Sequence, residues 1–252
     1  MPASTFEYSY ELPEPELADF VESFWILENH SDEAKEIVVL PDASVDVFFG
    51  YSAAESFHVT LSGIATESSQ AVVAAHTVMY AISFKFLALE YILDTSVADL
   101  LNSITYLPND FLGIRKEDLV DLETFQEKIS LKLKEQIQTD IDNRKQKLSQ
   151  LIYDSKGGIL IQEASDKCRW SSRQINRYFQ QWIGISLKNY LTIVRFRTSF
   201  SHIKAGKLFP EQHYTDQAHF IREVKKFSGV VPKELNRNTN DRFIQFSLLK
   251  KK

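Results

Sequence analysis

Hydrophobic and polar positions change rhythm along the 252-residue chain. Residues 6–30 hold two short elements around Pro13 and Pro15, and the run ADFVESFWIL (18–27) is compact and apolar. Alternation then predicts strands over 37–64, where IVVL and VDVFFGY flank the turn Pro41-Asp42-Ala43 and FHVTLSGI follows. A further strand is predicted over 77–86, with Val78, Tyr80, Ile82, Phe84 and Phe86 in alternation. This is the signature of a sheet or small barrel. From about 116 the period lengthens. Leu119, Leu122, Phe125, Ile129, Leu133, Ile137 and Ile141 recur three or four apart with Glu, Lys and Gln between them, which predicts one or two amphipathic helices. Their stripe is expected to pack on the sheet, with pairing to a second copy as the other use of the same face. Helical signal continues through RKQKLSQLIYDS to Gly157-Gly158, and five of the eight glycines lie at or beyond 157, where they can punctuate short helices. A domain boundary is expected near 143–150.

Charge sharpens that boundary. The whole chain carries −5, which by itself argues against a nucleic-acid partner. Residues 1–148, however, hold 10 Lys+Arg against 26 Asp+Glu, a net of −16, and residues 149–252 hold 19 against 8, a net of +11. An acidic front joined to a basic back predicts two domains with different partners. The basic part suits nucleic acid, an anionic membrane surface or an acidic protein.

The basic third repeats at an offset of 45. Ser171 falls on Asp216, Ile175 on Phe220, Arg177 on Arg222, Phe179 on Val224, Trp182 on Phe227, Gly184 on Gly229 and Lys188 on Lys233. Each copy is a cap residue, an amphipathic helix, a glycine stop and a short basic segment. In the first copy, Ser171 and Gln174 predict a capping box. Ile175, Tyr178, Phe179 and Trp182 share one side of that helix, opposite Arg173, Asn176, Arg177 and Gln180. The preceding ILIQEASDKC (159–168), with Ala164 facing inward, predicts the first helix of a helix-turn-helix. In the second copy Asp216 is the expected N-cap and Phe220, Val224 and Phe227 the buried side. His219, Arg222, Lys225 and Lys226 lie roughly opposite, with small Ala218 among them. The segment 186–203 between the copies is apolar around most of its circumference and reads as a central buried helix. Such a helix would hold the two reading helices about one DNA turn apart, ~34 Å.

These residues carry a resemblance. SSRQINRYF, Gly184, Tyr190, Arg195, TDQAHFIREVKKFSG and Val231-Pro232-Lys233-Glu234-Leu235 resemble, in that order over roughly 143–240, the DNA-binding region of AraC/XylS-type transcription regulators. Trp25, LPDASVDVFF (40–49) and LSGIAT (61–66) more loosely resemble the regulatory domains of some relatives. The resemblance implies an α+β chain with three parts: a mixed β/α regulatory domain over 1–145 (a sheet or small cupin-like barrel plus helices), an all-α double helix-turn-helix domain over 146–240, and a tail over 241–252. It implies double-stranded DNA and RNA polymerase as partners. Ser172, Arg173, Gln174, Asn176, Arg177, Gln217, His219, Arg222, Lys225 and Lys226 become the candidate DNA contacts. A small-molecule effector or protein partner is open for the regulatory domain, as is a homodimer. KLFPEQHYTD (207–216), with Pro210, is short for a full first helix of the second unit. The apolar part of DRFIQFSLLKKK (241–252) is expected to pack back, and its lysines to touch phosphate or remain solvated.

Other chemistries find little support. The sole cysteine, Cys168, allows neither a disulfide framework nor a cysteine zinc site. His30, His58 and His76 are widely spaced, and Asp42 and Asp46, in strand and turn context, do not read as an acid/base pair. There is no nucleophile elbow, P-loop or dinucleotide fingerprint. No metal, cofactor or enzyme activity is expected. Residues 1–24 are acidic, and the most apolar segment, 71–93, is broken by His76, Lys85 and Glu90, so neither a secretory signal nor a membrane span is expected and the chain reads as cytoplasmic. The rival readings are an adaptor whose basic helices bind an acidic protein, and an enzyme fused to a DNA-binding module.

Overall fold

A computed structural model describes residues 6–209 and 214–248. The chain is α+β. Strands β1 (Phe6–Glu11), β2 (Val21–Asn29), β3 (Lys35–Val39), β4 (Val45–Tyr51), β5 (His58–Ser62), β6 (Ser69–Val73) and β7 (Thr77–Phe84) are followed by helix α1 (Phe86–Tyr91) and strand β8 (Ile104–Leu107). Six of the strands form an antiparallel sheet in the order β1-β2-β7-β4-β5-β8, and β3 pairs with β6 in a second, two-stranded sheet. The two strands that flank Pro41-Asp42-Ala43 therefore part into different sheets. The segment 18–27 lies mostly in β2, a nine-residue strand.

Alternation decides the two faces of the large sheet. Phe24, Val47, Phe49, Tyr80 and Ile82 point to one face and are buried. Helix α2 (Leu122–Gln136), capped by Asp121, which accepts from the Thr124 N–H, covers that face with Phe125, Ile129 and Leu133. The Phe125 ring lies 5.6 Å from Phe49 and 5.1 Å from Tyr80. The expected stripe thus packs on the sheet. The opposite face turns toward β3 and β6 across a cavity.

The remaining helices are α3 (Asn143–Asp154), α4 (Ile161–Cys168), α5 (Ser172–Ile183), α6 (Leu187–Thr198), α7 (Phe200–Lys204), α8 (Gln217–Ser228), α9 (Pro232–Arg237) and α10 (Ile244–Leu248). Ala164 is buried in α4, as expected. The predicted central helix over 186–203 breaks at Ser199 into α6 and α7. Residues 205–209 and 214–216 carry no helix, so among the described residues the second unit lacks a full first helix. Pro210 and the terminal Lys250, Lys251 and Lys252 lie outside the described residues.

One hydrophobic cluster runs from Leu17 to Phe246 and does not stop at the expected boundary. Phe86 of α1 meets Phe179 of α5 at 5.1 Å and Tyr190 of α6 at 5.8 Å. The tail packs back through Phe243, Ile244 and Phe246. Phe243 bridges Val38 of β3, and the Gln245 amide both donates to and accepts from the Leu40 backbone at 2.9 and 3.0 Å.

Candidate functional site

Helix α5 begins with the predicted capping box. Ser171 Oγ accepts the Gln174 N–H at 3.3 Å, and the Gln174 side-chain oxygen accepts the Ser171 N–H at 3.2 Å. It ends at Gly184, whose φ of 84° lies in the left-handed region. Ile175, Tyr178, Phe179 and Ile183 are buried, while Arg173, Gln174 and Arg177 are exposed and Ser172 is half-buried. Asn176 is placed differently from its candidate role. Its amide donates to Ser172 O at 3.0 Å and accepts the Leu187 N–H at 3.1 Å, so both ends bond inside the protein at the α5–α6 elbow.

Helix α8 repeats this construction 45 residues on. Asp216 accepts the His219 N–H at 2.7 Å, and Gly229 ends the helix at a φ of 75°. Gln217, Arg222, Lys225 and Lys226 are exposed. His219 is turned inward: Nδ1 accepts the Thr215 N–H at 3.3 Å and Nε2 lies 3.5 Å from Glu223. Arg195 of α6 grips the buried Glu223 with two hydrogen bonds, 3.1 and 2.8 Å, and so fixes α8 against α6.

The front of the chain touches α5. The Val97 N–H donates to Trp182 O at 3.0 Å, and Ser96 Oγ donates to Gln181 O at 2.7 Å. The backbone of Ala98 lies so close to Gly184 that a Cβ there would meet Ala98 O at 2.5 Å. A shallow recess of about 320 Å³ beside α5 places Glu90 and Asp142 near Gln174 and Arg177. Lys145 pairs with Glu90 at 2.6 Å there.

The second feature is the cavity between the two sheets, about 1220 Å³. Trp25, Ala81 and Phe48 face each other in register across β2, β7 and β4, and the next rung is Ser23, Ser83 and Asp46. Small Ala81 leaves room between the flanking rings. Tyr8 stacks on Trp25 at 5.3 Å, and Phe48 meets Trp25 edge-on at 5.6 Å. Asp42, Asp46, Glu22, Lys85 and Arg197 also line this space. Arg197, from α6, pairs with Glu22 of β2 at 2.7 Å. Burial alone would raise the Glu22 carboxyl, but the Arg197 charge and hydrogen bond hold it below the ordinary value. Asp46 is raised to about 7, first by desolvation and then by the neighbouring charge of Asp42. Both aspartates are half-buried and line the cavity wall.

Sequence reading did not single out this group as a site. Asp42 and Asp46, turn and strand residues by sequence, share one cavity. The available signal was parity: in VDVFFGY, Asp46 and Phe48 fall on the face opposite Val45, Val47 and Phe49. The three histidines stay apart, beside Glu28, Glu55 and Asp32 respectively. Glu7, Glu28 and His30 gather three ligand-type atoms within 4.8 Å of one another on the β1–β2 edge, an acidic cluster that holds no further sign of a metal. Burial pushes the Cys168 thiol up, away from reactivity. Among the described residues no helix is long and apolar enough to cross a membrane.

Residues 10–105 match the family model of a domain of unknown function, DUF6597. No curated protein matches the chain. Among solved structures, it is similar to ToxT from Vibrio cholerae, at 12% identity and a TM-score of 0.43 over 92% of this chain and 97% of that one. An apo variant of ToxT from Vibrio cholerae strain SCE256 gives 12% identity and a TM-score of 0.44 over 95% and 100%. ToxT from Vibrio cholerae O395 bound to (E)-4-(8-methylnaphthalen-1-yl)but-3-enoic acid gives 12% and 0.40 over 92% and 98%. Similarity at this level fixes neither fold nor function.

Proposed function

We propose that this chain is a sequence-specific regulator of transcription that binds double-stranded DNA through α5 and α8, under the control of its β-rich front. The observation that carries this reading is the doubled helix. Two capped, glycine-stopped helices stand 45 residues apart in the chain, each with a buried apolar side and exposed cations. Phosphate neutralisation by Lys and Arg supplies affinity, and side chains at base edges supply specificity.

Arg173 and Arg177 are the proposed base and phosphate contacts of α5. Gln174 keeps its amide nitrogen for DNA while its oxygen serves the cap, and Ser172 flanks them. Gln217, Arg222, Lys225 and Lys226 act from α8. Asn176 and His219 act through position, the first by fixing the α5–α6 elbow and the second by bracing the start of α8. The unit around α8, without a full first helix among the described residues, contributes phosphate binding more than base reading. In this reading 1–145 is the regulatory part and 146–240 the DNA-binding part. The contacts of Ser96, Val97 and Ala98 with the end of α5 support restraint of α5 by the front. The reading does not rest on a homodimer, since the α2 stripe is taken up by the sheet.

Selection of bound sequences from random duplex DNA with the full chain tests the proposal. A preferred motif is expected, and Arg173→Ala should weaken it by ~1–3 kcal/mol and relax one position of the motif. Recovery of no motif, together with tight binding to an acidic protein, would favour the adaptor instead.

A further inference from the structure

The interior of the β-rich front holds an unbalanced set of charges. Three of the cavity's carboxylates, Glu22, Asp42 and Asp46, act on one another and on two of its cations, Lys85 and Arg197; Glu55, Glu67 and Lys156 also line it. Both cations gather on Glu22: Arg197 at 2.7 Å and Lys85 at 4.0 Å. Lys85 also donates to Ala18 O at 2.6 Å and lies over the Tyr153 ring. Asp42 accepts the Ser44 N–H at 3.1 Å. Asp46 accepts the hydroxyl of Ser83, which in turn accepts the Trp25 indole N–H at 3.0 Å. Among the described residues no cation lies within ion-pair distance of Asp46. A desolvated carboxylate beside a second carboxylate, with no cation within ion-pair distance, is a costly arrangement.

The surroundings of Asp46 answer the same need. The Trp25 and Phe48 rings stand one rung away, with Tyr8 stacked on Trp25. Aromatic faces attract cations, most strongly when the site is dry. Beyond them Leu27, Ile37, Val39 and Met79 offer apolar wall. The volume exceeds what a small ligand usually fills. An anion seated at this end of the cavity would lie against Asp42 and Asp46 themselves, with Arg197 already held by Glu22, and a neutral ligand would leave Asp46 as it is.

We propose that this cavity binds an organic cation, an amine or quaternary ammonium on an apolar body, with its charge at Asp46 and Asp42 and its body against Trp25, Tyr8 and Phe48. The site stands without the DNA-binding reading; describing its ligand as an effector rests on that reading. The route to α6 is Arg197, whose guanidinium shares the field of the same carboxylates.

Calorimetric titration of the full chain, without DNA, tests the site with a size-matched set. The cations are tyramine and benzyltrimethylammonium, the neutral control is tyrosol, and the anion is 4-hydroxyphenylacetate. Both cations are expected to bind, at least tenfold more tightly than tyrosol or the anion. Asp46→Asn should weaken the cations at least tenfold and leave tyrosol unchanged. Because that variant alters a buried site, the intact protein supplies a second reading. Benzyltrimethylammonium carries its charge at every pH, so its affinity should rise as pH passes upward through about 7 and Asp46 ionises. The other groups facing Asp46 are Asp42, Glu22, Arg197, Lys85 and Tyr8, and the rise should vanish in Asp46→Asn. Binding of neither cation, equal binding of tyramine and tyrosol, or preference for the anion would each overturn the proposal. None of these outcomes bears on DNA binding.

Discussion

Asp46 and Glu22 sit in one cavity and titrate in opposite directions, and both should show in the pH dependence of folding. Asp46 holds its proton in the folded chain up to about 7, whereas an unfolded aspartate loses it near 3.8. Between those values the folded state binds the extra proton, so its contribution to stability falls as pH rises. Asp46→Asn removes that loss. Urea denaturation should find the variant more stable than the parent at pH 8, on the order of 1–3 kcal/mol, and the gap should close toward pH 4. Glu22 has the lowered value, so its contribution is present above the unfolded glutamate value and fades as pH drops through the folded one. Glu22→Gln should therefore destabilise at neutral pH, by roughly 1–2 kcal/mol, because the half-buried Arg197 loses its ion-pair partner, and far less in acid. A parent and variant that stay parallel across the whole range would refute this account of the pair.

The helix stops offer a matched experiment at the scale of elements. Gly184 and Gly229 occupy equivalent positions at the ends of α5 and α8, both in the left-handed region. A Cβ on Gly229 meets nothing within 4 Å, but on Gly184 it strikes the Ala98 backbone. Gly229→Ala should thus cost only the conformational term, about 1 kcal/mol. Gly184→Ala must also displace Ala98, and should cost at least twice as much in thermal or urea unfolding. Equal costs would mean that the front does not bear on α5. The caps and stops were legible in the sequence because they are local: Ser171 with Gln174, Asp216 with His219, and each glycine need only neighbours within one helix. The joint between α6 and α7 at Ser199 was not legible, because apolar residues continue across it through Phe200, which packs on Phe246 of α10, and Ile203.

The whole molecule couples its two oppositely charged parts through a shared core, and the contact of Ala98 with the end of α5 is where a restraint would be relieved. Ala98→Trp should push the two apart and raise duplex affinity several-fold at moderate salt, with the slope of affinity against salt also steeper. Unchanged affinity in a folded variant would remove restraint from the mechanism. Sequence alone determined the α+β character, the amphipathic α2, the doubled helix and the exposed Arg and Lys side chains. Each of these follows from periodicity, capping and charge, which act over a few residues. It did not determine the site in the front. Trp25, Asp46 and Ser83 come from strands far apart in the chain, and only sheet register sets them side by side. Arg197 lies more than 170 residues from Glu22, its partner at 2.7 Å. The environment that raises Asp46, desolvation together with a second carboxylate, exists only once the sheets close over it, so the tertiary structure decided what that aspartate is.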